Sequence, residues 1–398
     1  MIPFTRMLNY GNIAEDSKIV KIQFSTASWM ILLSNGELHG RGNGAFGDGQ
    51  AKVWHEDWTL IRNNVKNFWM DQFGNSLMLQ ETNNKVYYTG SRFYRTSNDN
   101  TMETTFKEDI FFSSGSIIID TVSFNTGSPS IGFIDNNNFF RVIGSQRGLN
   151  SSTVPYTNWN LVSTNIIAIG NSGTNWWTIN TSGQVHGGGQ NIASIFSSAP
   201  ESTFYSYPVL IGNASTDEIY GKSLQDHQYA IIFPSYVDKT WYGRGFGFNG
   251  VFGNGSTNNL TSTTIISNSW PMRTSIIGLA DNSFSNCNTT MYYTNEGMYV
   301  TGNTSFRGLN DGTVRVSPVK VQVPFNTNDI VYLDLGNSAT YVYLKDGSIY
   351  MCGRFNTKTE IITYDTYTNI SDKFGKFPKD LTKESMKHGL NVNQGDIK

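Results

Sequence analysis

The chain is 398 residues long, has a net charge of −2, and is 14% aromatic but only 15% charged. With no basic excess to neutralise phosphates, nucleic acid is excluded as its main partner. No basic start followed by an apolar stretch opens the sequence, and no run approaches the roughly 20 apolar residues of a membrane helix, so neither a signal peptide nor membrane insertion is expected.

Residues 1–16 read as an N-terminal segment, in which 4–10 could add a strand to the far end of the fold and latch it. From 17 to 365 one unit recurs seven times. The first runs SKIVKIQFS (17–25), WMILLS (29–34), a tight turn at Asn35-Gly36, ELHG ending at Gly40, and a fourth apolar stretch at 58–62. The second has NSLMLQ (75–80), Asn83-Asn84, KVYYTG to Gly90, and 106–112. The third has PSIGFID (129–135), Asn136-Asn137, NFFRVIG to Gly144, and 159–163. The fourth has NIIAIGN (165–171), NWWTINT (175–181), Ser182-Gly183, QVHG to Gly187, and 208–211. The fifth has YAIIF (229–233), a weaker turn at Val237-Asp238, TWYG to Gly243, and 263–267. The sixth has TSIIGLAD (274–281), TTMYYT (289–294), Glu296-Gly297, GMYVTG to Gly302, and 319–323. The seventh has DIVYLDLG (329–336), ATYVYLK (339–345), Asp346-Gly347, SIYMCG to Gly353, and 359–364.

The Gly and Asn turns tolerate the positive φ of tight hairpins. The seven strand-ending glycines are 43 to 59 residues apart. Four short antiparallel strands per unit, seven units and almost no helical text predict an all-β, seven-bladed β-propeller. One blade cannot bury both faces, and the abundant Phe, Tyr and Trp suit the wedges between neighbours. Two cysteines, Cys287 and Cys352, are expected as buried free thiols, because one bridge does not make a disulfide scaffold. Residues 366–398 form a tail, with KDLTKESMKHG (379–389) as a candidate short helix and docking segment.

The strand, Asp-Gly turn, aromatic-Gly ending and Gly-rich loop resemble the repeat of the regulator of chromosome condensation family. GRGNGAFGDGQ (40–50) and GRGFGFNGVFGNGS (243–256) fit that loop best, GNTSFRGLNDGT (302–313) and GSQRGLNSST (144–153) partly. The resemblance covers nearly the whole chain and implies a propeller that binds proteins. In that family one face binds a small GTPase or chromatin, and other members bind unrelated proteins, including a β-lactamase inhibitor. The basic surface that chromatin requires is missing from the net charge.

Gly42-x-Gly44-x-x-Gly47 and Gly245-x-Gly247-x-x-Gly250 match the dinucleotide-binding pattern, but no helix start follows either, so no cofactor is expected. His39 and His186 occupy the same place in two units; they could meet only in a central channel, and blade packing is the expected role. His55, His227 and His388 are scattered, and no metal site is expected. No nucleophile elbow or paired carboxylate stands out, so the reading is non-enzymatic. Arg41, Arg92, Arg244 and Arg354 recur one or two places after the strand-ending glycine and either tie the loop backbone of their own blade or are candidate partner contacts, as are Trp54, Trp58, Trp159 and Trp270 near loops. An Asn/Ser/Thr/Tyr-rich, charge-poor β-scaffold suggests a structural or host-receptor-binding component of a virion: a phage tail, baseplate or capsid decoration. Its partners would be other virion proteins or a host protein or glycan. The alternative is a cytoplasmic propeller acting on a small GTPase.

Overall fold

Strand-forming text and hairpin turns alternate so regularly that each sheet is made from four consecutive segments of chain. In the computed structural model, residues 19–374 are described apart from 26, 52, 72–73, 91–102, 125–129, 145–155, 173–174, 192–194, 198–202, 214–221, 225–229, 235–239, 267–269, 272–277, 280–288, 310 and 337. Seven four-stranded antiparallel sheets follow one another as blades of a β-propeller. Blade 1 is Ile19–Phe24, Ser28–Leu33, Leu38–Gly44 and Val53–Arg62. Blade 2 is Val65–Met70, Ser76–Glu81, Val86–Gly90 and Glu103–Asp109. Blade 3 is Ile118–Phe124, Ser130–Asp135, Phe140–Gly144 and Tyr156–Ser163. Blade 4 is Ile166–Ser172, Asn175–Asn180, Gln184–Gln190 and Phe204–Asn213. Blade 5 is Lys222–Leu224, Ala230–Pro234, Trp241–Gly245 and Leu260–Ile265. Blade 6 is Gly278–Leu279, Thr289–Thr294, Gly297–Asn303 and Val314–Val321. Blade 7 is Ile330–Leu335, Ala339–Leu344, Ile349–Asn356 and Ile361–Asn369, followed by one helical turn, Ser371–Phe374.

The sequence places these strands well, with one systematic difference: the fourth strands of blades 1 to 6 start earlier than their apolar text. In blade 1 the strand begins at Val53, five residues before the predicted 58. Outer strands have a neighbour on one side only, and Ile361–Asn369 is buried at a single position. Their pairing is therefore backbone-driven, and polar residues hide it. By contrast SWMILL, TTMYYT and ATYVYL are buried at every position, because both blade faces are covered. Blade 7 also runs four residues past 365, to Asn369. Segments 1–16 and 379–389, Cys287 and the turn Val237-Asp238 lie outside the described residues, as does nearly all of 144–153.

The buried apolar residues form seven clusters, and each one joins two adjacent blades. Met30, Leu32 and Phe46 of blade 1 meet Phe68, Leu77 and Leu79 of blade 2. Met78 and Phe112 of blade 2 meet Phe133 and Trp159 of blade 3. The series continues with Phe140 on Trp176, Trp177 on Phe233, Trp270 on Tyr292, and Val300 on Leu333. The last cluster closes the circle: Phe24, Trp29 and Ile31 of blade 1 pack on Tyr341, Tyr343 and Phe355 of blade 7. Phe24 stacks on Tyr341 at 4.6 Å and Trp29 on Phe355 at 5.2 Å. Blades 1 and 7 each hold four strands of their own, so among the described residues this seam closes by side-chain packing rather than by a shared sheet.

The strand-ending glycines prove to occupy two positions, which corrects the sequence reading. In every blade the third strand slips against the fourth, and a glycine stands at the slip: Gly42, Gly90, Gly144, Gly189, Gly245, Gly302 and Gly353. Their spacing narrows to 45 to 57 residues. Gly40, Gly187 and Gly243 lie two places earlier, and an aromatic ring of the following loop fills the space that each leaves: Phe46, Phe196 and Phe252. Those three blades carry glycine at both places, and composition alone does not reveal which one stands at the register change.

At the bulge the glycine is required by geometry. Gly353 has φ +113°, and a Cβ there would stand 2.2 Å from the Ser338 carbonyl oxygen. That oxygen is engaged, accepting from the Arg354 N–H at 2.7 Å. Gly353→Val should therefore cost roughly 2–4 kcal/mol. Gly255→Ala, at φ +86° with nothing within 4 Å, should cost only about 1 kcal/mol. Thermal melts of the two variants measure the difference; equal melting temperatures would remove the bulge argument.

Candidate docking face

Because strands alternate in direction, all second-to-third turns lie on one side of the ring and all third-to-fourth loops on the other. The two faces are unlike. On the turn face, the hairpin of blade 6 closes in two residues, whereas those of blades 1, 2, 3, 4 and 7 close in three with the last in the left-handed region, as at Gly36 (φ 84°) and Asn84 (φ 68°). In the third repeat that residue is Asn138, one beyond the predicted pair. These turns bond to the linkers beside them: Val65 N–H donates to Gly36 O, Thr82 N–H to Asn64 O, and Ile166 N–H to Asn138 O.

On the loop face the Gly-rich segments act as clamps onto the next blade. The blade 1 loop reaches blade 2 through Ala45 N–H to Gly74 O at 3.0 Å and Gly49 N–H to Thr104 O at 2.8 Å. The blade 5 loop reaches blade 6 at three carbonyls or amides. Thr301 Oγ1 donates to Gly250 O at 2.8 Å, Thr290 Oγ1 to Val251 O at 2.7 Å, and Gly255 N–H to Val316 O at 2.7 Å. The blade 6 loop carries Arg307, which is buried and donates to Ala339 O (3.1 Å), Thr340 Oγ1 (3.0 Å) and Gly336 O (2.9 Å) of blade 7. The sequence reading missed Arg307, Thr290 and Thr301, for which the only signal was their place in or opposite a Gly-rich loop.

This arrangement disposes of the dinucleotide pattern in physical terms. Gly42 and Gly44 belong to a strand, not to a strand–helix junction. Two amides of the blade 1 loop, Ala45 and Gly49, are spent on carbonyls of blade 2 rather than free to cradle a phosphate.

The candidate contacts separate sharply. Trp58, Trp159 and Trp270 are buried, at 4%, 7% and 5% exposure, so they pack the ring and do not face a partner. Trp159 donates to Asp109 Oδ2 at 2.9 Å, and Trp270 to Phe252 O at 2.8 Å. Trp54 is half-buried and sits edge-on to Trp29 at 6.4 Å. The aromatics looked loop-like because the outer strands holding Trp54, Trp58 and Trp159 begin before their apolar text.

The arginines do not form one ring. Arg41 and Arg244 precede the bulge glycine, Arg354 follows it, and Arg92 lies outside the described residues. Arg41 Nη1 donates to Lys373 O across the blade 7–blade 1 seam, which makes it a closing residue. Arg354 is exposed and lies 5.3 Å over the Phe306 ring. Arg244 is half-buried at the loop-face end of its strand, its Nε is shut from water without a hydrogen-bond partner, and burial draws its pKa below the usual value.

His39 and His186 each lie in the third strand of their own blade, and among the described residues no three His, Cys, Asp or Glu side chains group to hold a metal. His227 and His388 are outside the described residues. His55 Nε2 lies 3.0 Å from Asp48 Oδ2. Cys352 is a buried free thiol, and burial pushes its pKa up to about 11. No helix among the described residues is long and apolar enough to cross a membrane.

No family model matches the sequence, and no curated protein matches it. Solved propellers do. Prp20p from Saccharomyces cerevisiae, described with its binding properties to Gsp1p and histones, aligns with a TM-score of 0.64 at 12% identity, over 86% of this chain and 87% of that one. Yeast RCC1 (Prp20) in complex with Kap60 aligns at 0.61 and 12% identity, over 80% and 78%. Human WBSCR16 aligns at 0.60 and 12% identity, over 80% and 85%. At these identities the likeness is one of fold, and it agrees with the propeller that the repeat predicts.

Burial holds the His39 pKa below its ordinary 6.5, against the opposing pull of Glu37 Oε2 at 3.1 Å. A depressed histidine leaves stability at full value above 6.5. It erodes stability as pH falls below that point, because the unfolded chain takes up a proton that the folded one refuses. His39→Gln should flatten the fall in urea midpoint between about pH 7 and pH 5, the range in which an ordinary histidine titrates. An unchanged slope would mean that His39 titrates alike in both states.

Proposed function

We propose that the chain is a non-catalytic, protein-docking propeller of the cytoplasm, and that a small GTPase is the partner that docks on its loop face. The observation that carries this reading is the contrast between faces. Among the described residues the turn face is closed by short turns bonded to their own linkers, whereas on the loop face the long loops of blades 1, 5 and 6 are clamped to the next blade, a rigid platform for side-chain recognition. One relative in fold, yeast Prp20, is described in one structure with its binding to Gsp1p and histones and in another bound to Kap60. Of the two partner classes that the sequence resemblance implies, chromatin asks for a basic surface, which a net charge of −2 does not supply. A place in a virion rests on composition alone, and the geometry of the ring adds nothing to it.

The reading predicts that the full-length protein accelerates release of labelled GDP from at least one member of a small-GTPase panel by about tenfold, the size that a differential binding energy of about 1.4 kcal/mol would produce. Release unchanged for every member would end it.

A further inference from the structure

Seven arginines lie among the described residues, and six of them have an evident use. Arg41 donates to Lys373 O, Arg62 to Glu81 Oε1 at 2.8 Å, and Arg315 to Asp311. Arg307 donates to three groups of blade 7, Arg141 lies 5.4 Å from the Phe111 ring, and Arg354 lies over Phe306. Arg244 alone has no carboxylate, carbonyl or ring among the described residues, and its Nε is buried without a partner there. A guanidinium stays charged at any working pH, so Arg244 is a part-desolvated cation that no described residue offsets.

The surroundings suit an incoming group. Phe246 and Phe248 follow Arg244 in the same loop with ring centroids 5.6 Å apart, and Phe248 is 47% exposed. The loop is held in place: Gly247 N–H donates to Asn259 Oδ1 at 3.1 Å, and Gly250 N–H to Gly247 O at 2.9 Å. Its far side is pinned to blade 6 by Thr301 and Thr290. A loop held in this way loses little entropy on binding.

We propose that Arg244 and the Phe246–Phe248 pair anchor an acidic peptide segment of the partner protein, an Asp or Glu seating on the guanidinium and an apolar neighbour covering Phe248. The carboxylate supplies two acceptors to a planar fork that has none, and the complex then satisfies a charge that the free ring leaves bare. This rests on the docking reading above and names the chemistry of what docks.

The test pans a random dodecapeptide display library on the full chain, with Arg244→Gln and Phe248→Ser as comparators. Recovered sequences should place Asp or Glu beside a large apolar residue. Recovery should fall at least tenfold on either variant and only in part on Arg244→Lys, which keeps charge but loses the fork. Arg244→Gln should melt no lower than the parent, because it removes an uncompensated charge; a structural arginine would melt lower or fail to fold. Acid-free sequences, recovery unaffected by Arg244→Gln, or a lowered melting temperature for that variant would each overturn the proposal. The two readings fail separately. GDP release retained by Arg244→Gln sinks the anchor and keeps the GTPase; Arg244-dependent acidic peptides with no GTPase response do the reverse.

Discussion

A four-stranded sheet with apolar side chains on both faces has nowhere to hide them except against two neighbours. Every other feature of this ring follows from that constraint. The seven buried clusters are interfaces between blades, not blade interiors, so no blade owns a core. Inner and second strands are buried on both sides and tolerate few polar residues. Outer strands relax into mixed text such as LTSTTI, buried at no position. Closing the circle through Phe24, Trp29, Tyr341 and Phe355 makes the first and last blades as dependent on each other as any consecutive pair.

Wedge packing also explains the bulge. The register between third and fourth strands changes by two residues, with the extra residues on the fourth strand, and such an irregularity adds local twist, which fits a sheet fanned around an axis. The slip brings the strand backbone against the carbonyl that precedes the second strand: Ala27 at Gly42, Asn75 at Gly90, Ser338 at Gly353. Only a residue without Cβ can stand there. In the blades with a second glycine two places earlier, the extra room is taken by a loop ring, Phe46, Phe196 or Phe252, each 4% exposed or less. One glycine thus serves the sheet and the other serves the loop.

The fold was legible because its signals are local and repeated: hairpin residues at fixed offsets, short apolar strands, a glycine per unit. The glycine register was not, since G-x-G offers two candidates and only cross-strand pairing separates them. Trp270 read as loop-side because it follows an outer strand, yet its indole donates back to Phe252 O and its ring stacks on Tyr292 at 5.0 Å in the next blade. Arg41 and Arg244 share one position in their strands, and nothing in their local text distinguishes a seam residue from a solitary cation. That difference comes from what the neighbouring blade brings: a C-terminal helical turn beside blade 1, and among the described residues no acceptor beside Arg244.

The clamps limit what kind of recognition the loop face can perform. In phosphate-binding loops, glycines free the backbone amides to point at a ligand. Here the same richness in glycine lets loop and neighbouring blade approach closely, and their amides and carbonyls bond to each other. A face whose backbone is already satisfied has little to offer a small anion and must recognise through side chains at the outer surface of the clamps. Recognition of that kind favours a partner broad enough to touch several side chains at once. A folded protein meets that requirement, and rigid loops let it do so without ordering the surface that it binds.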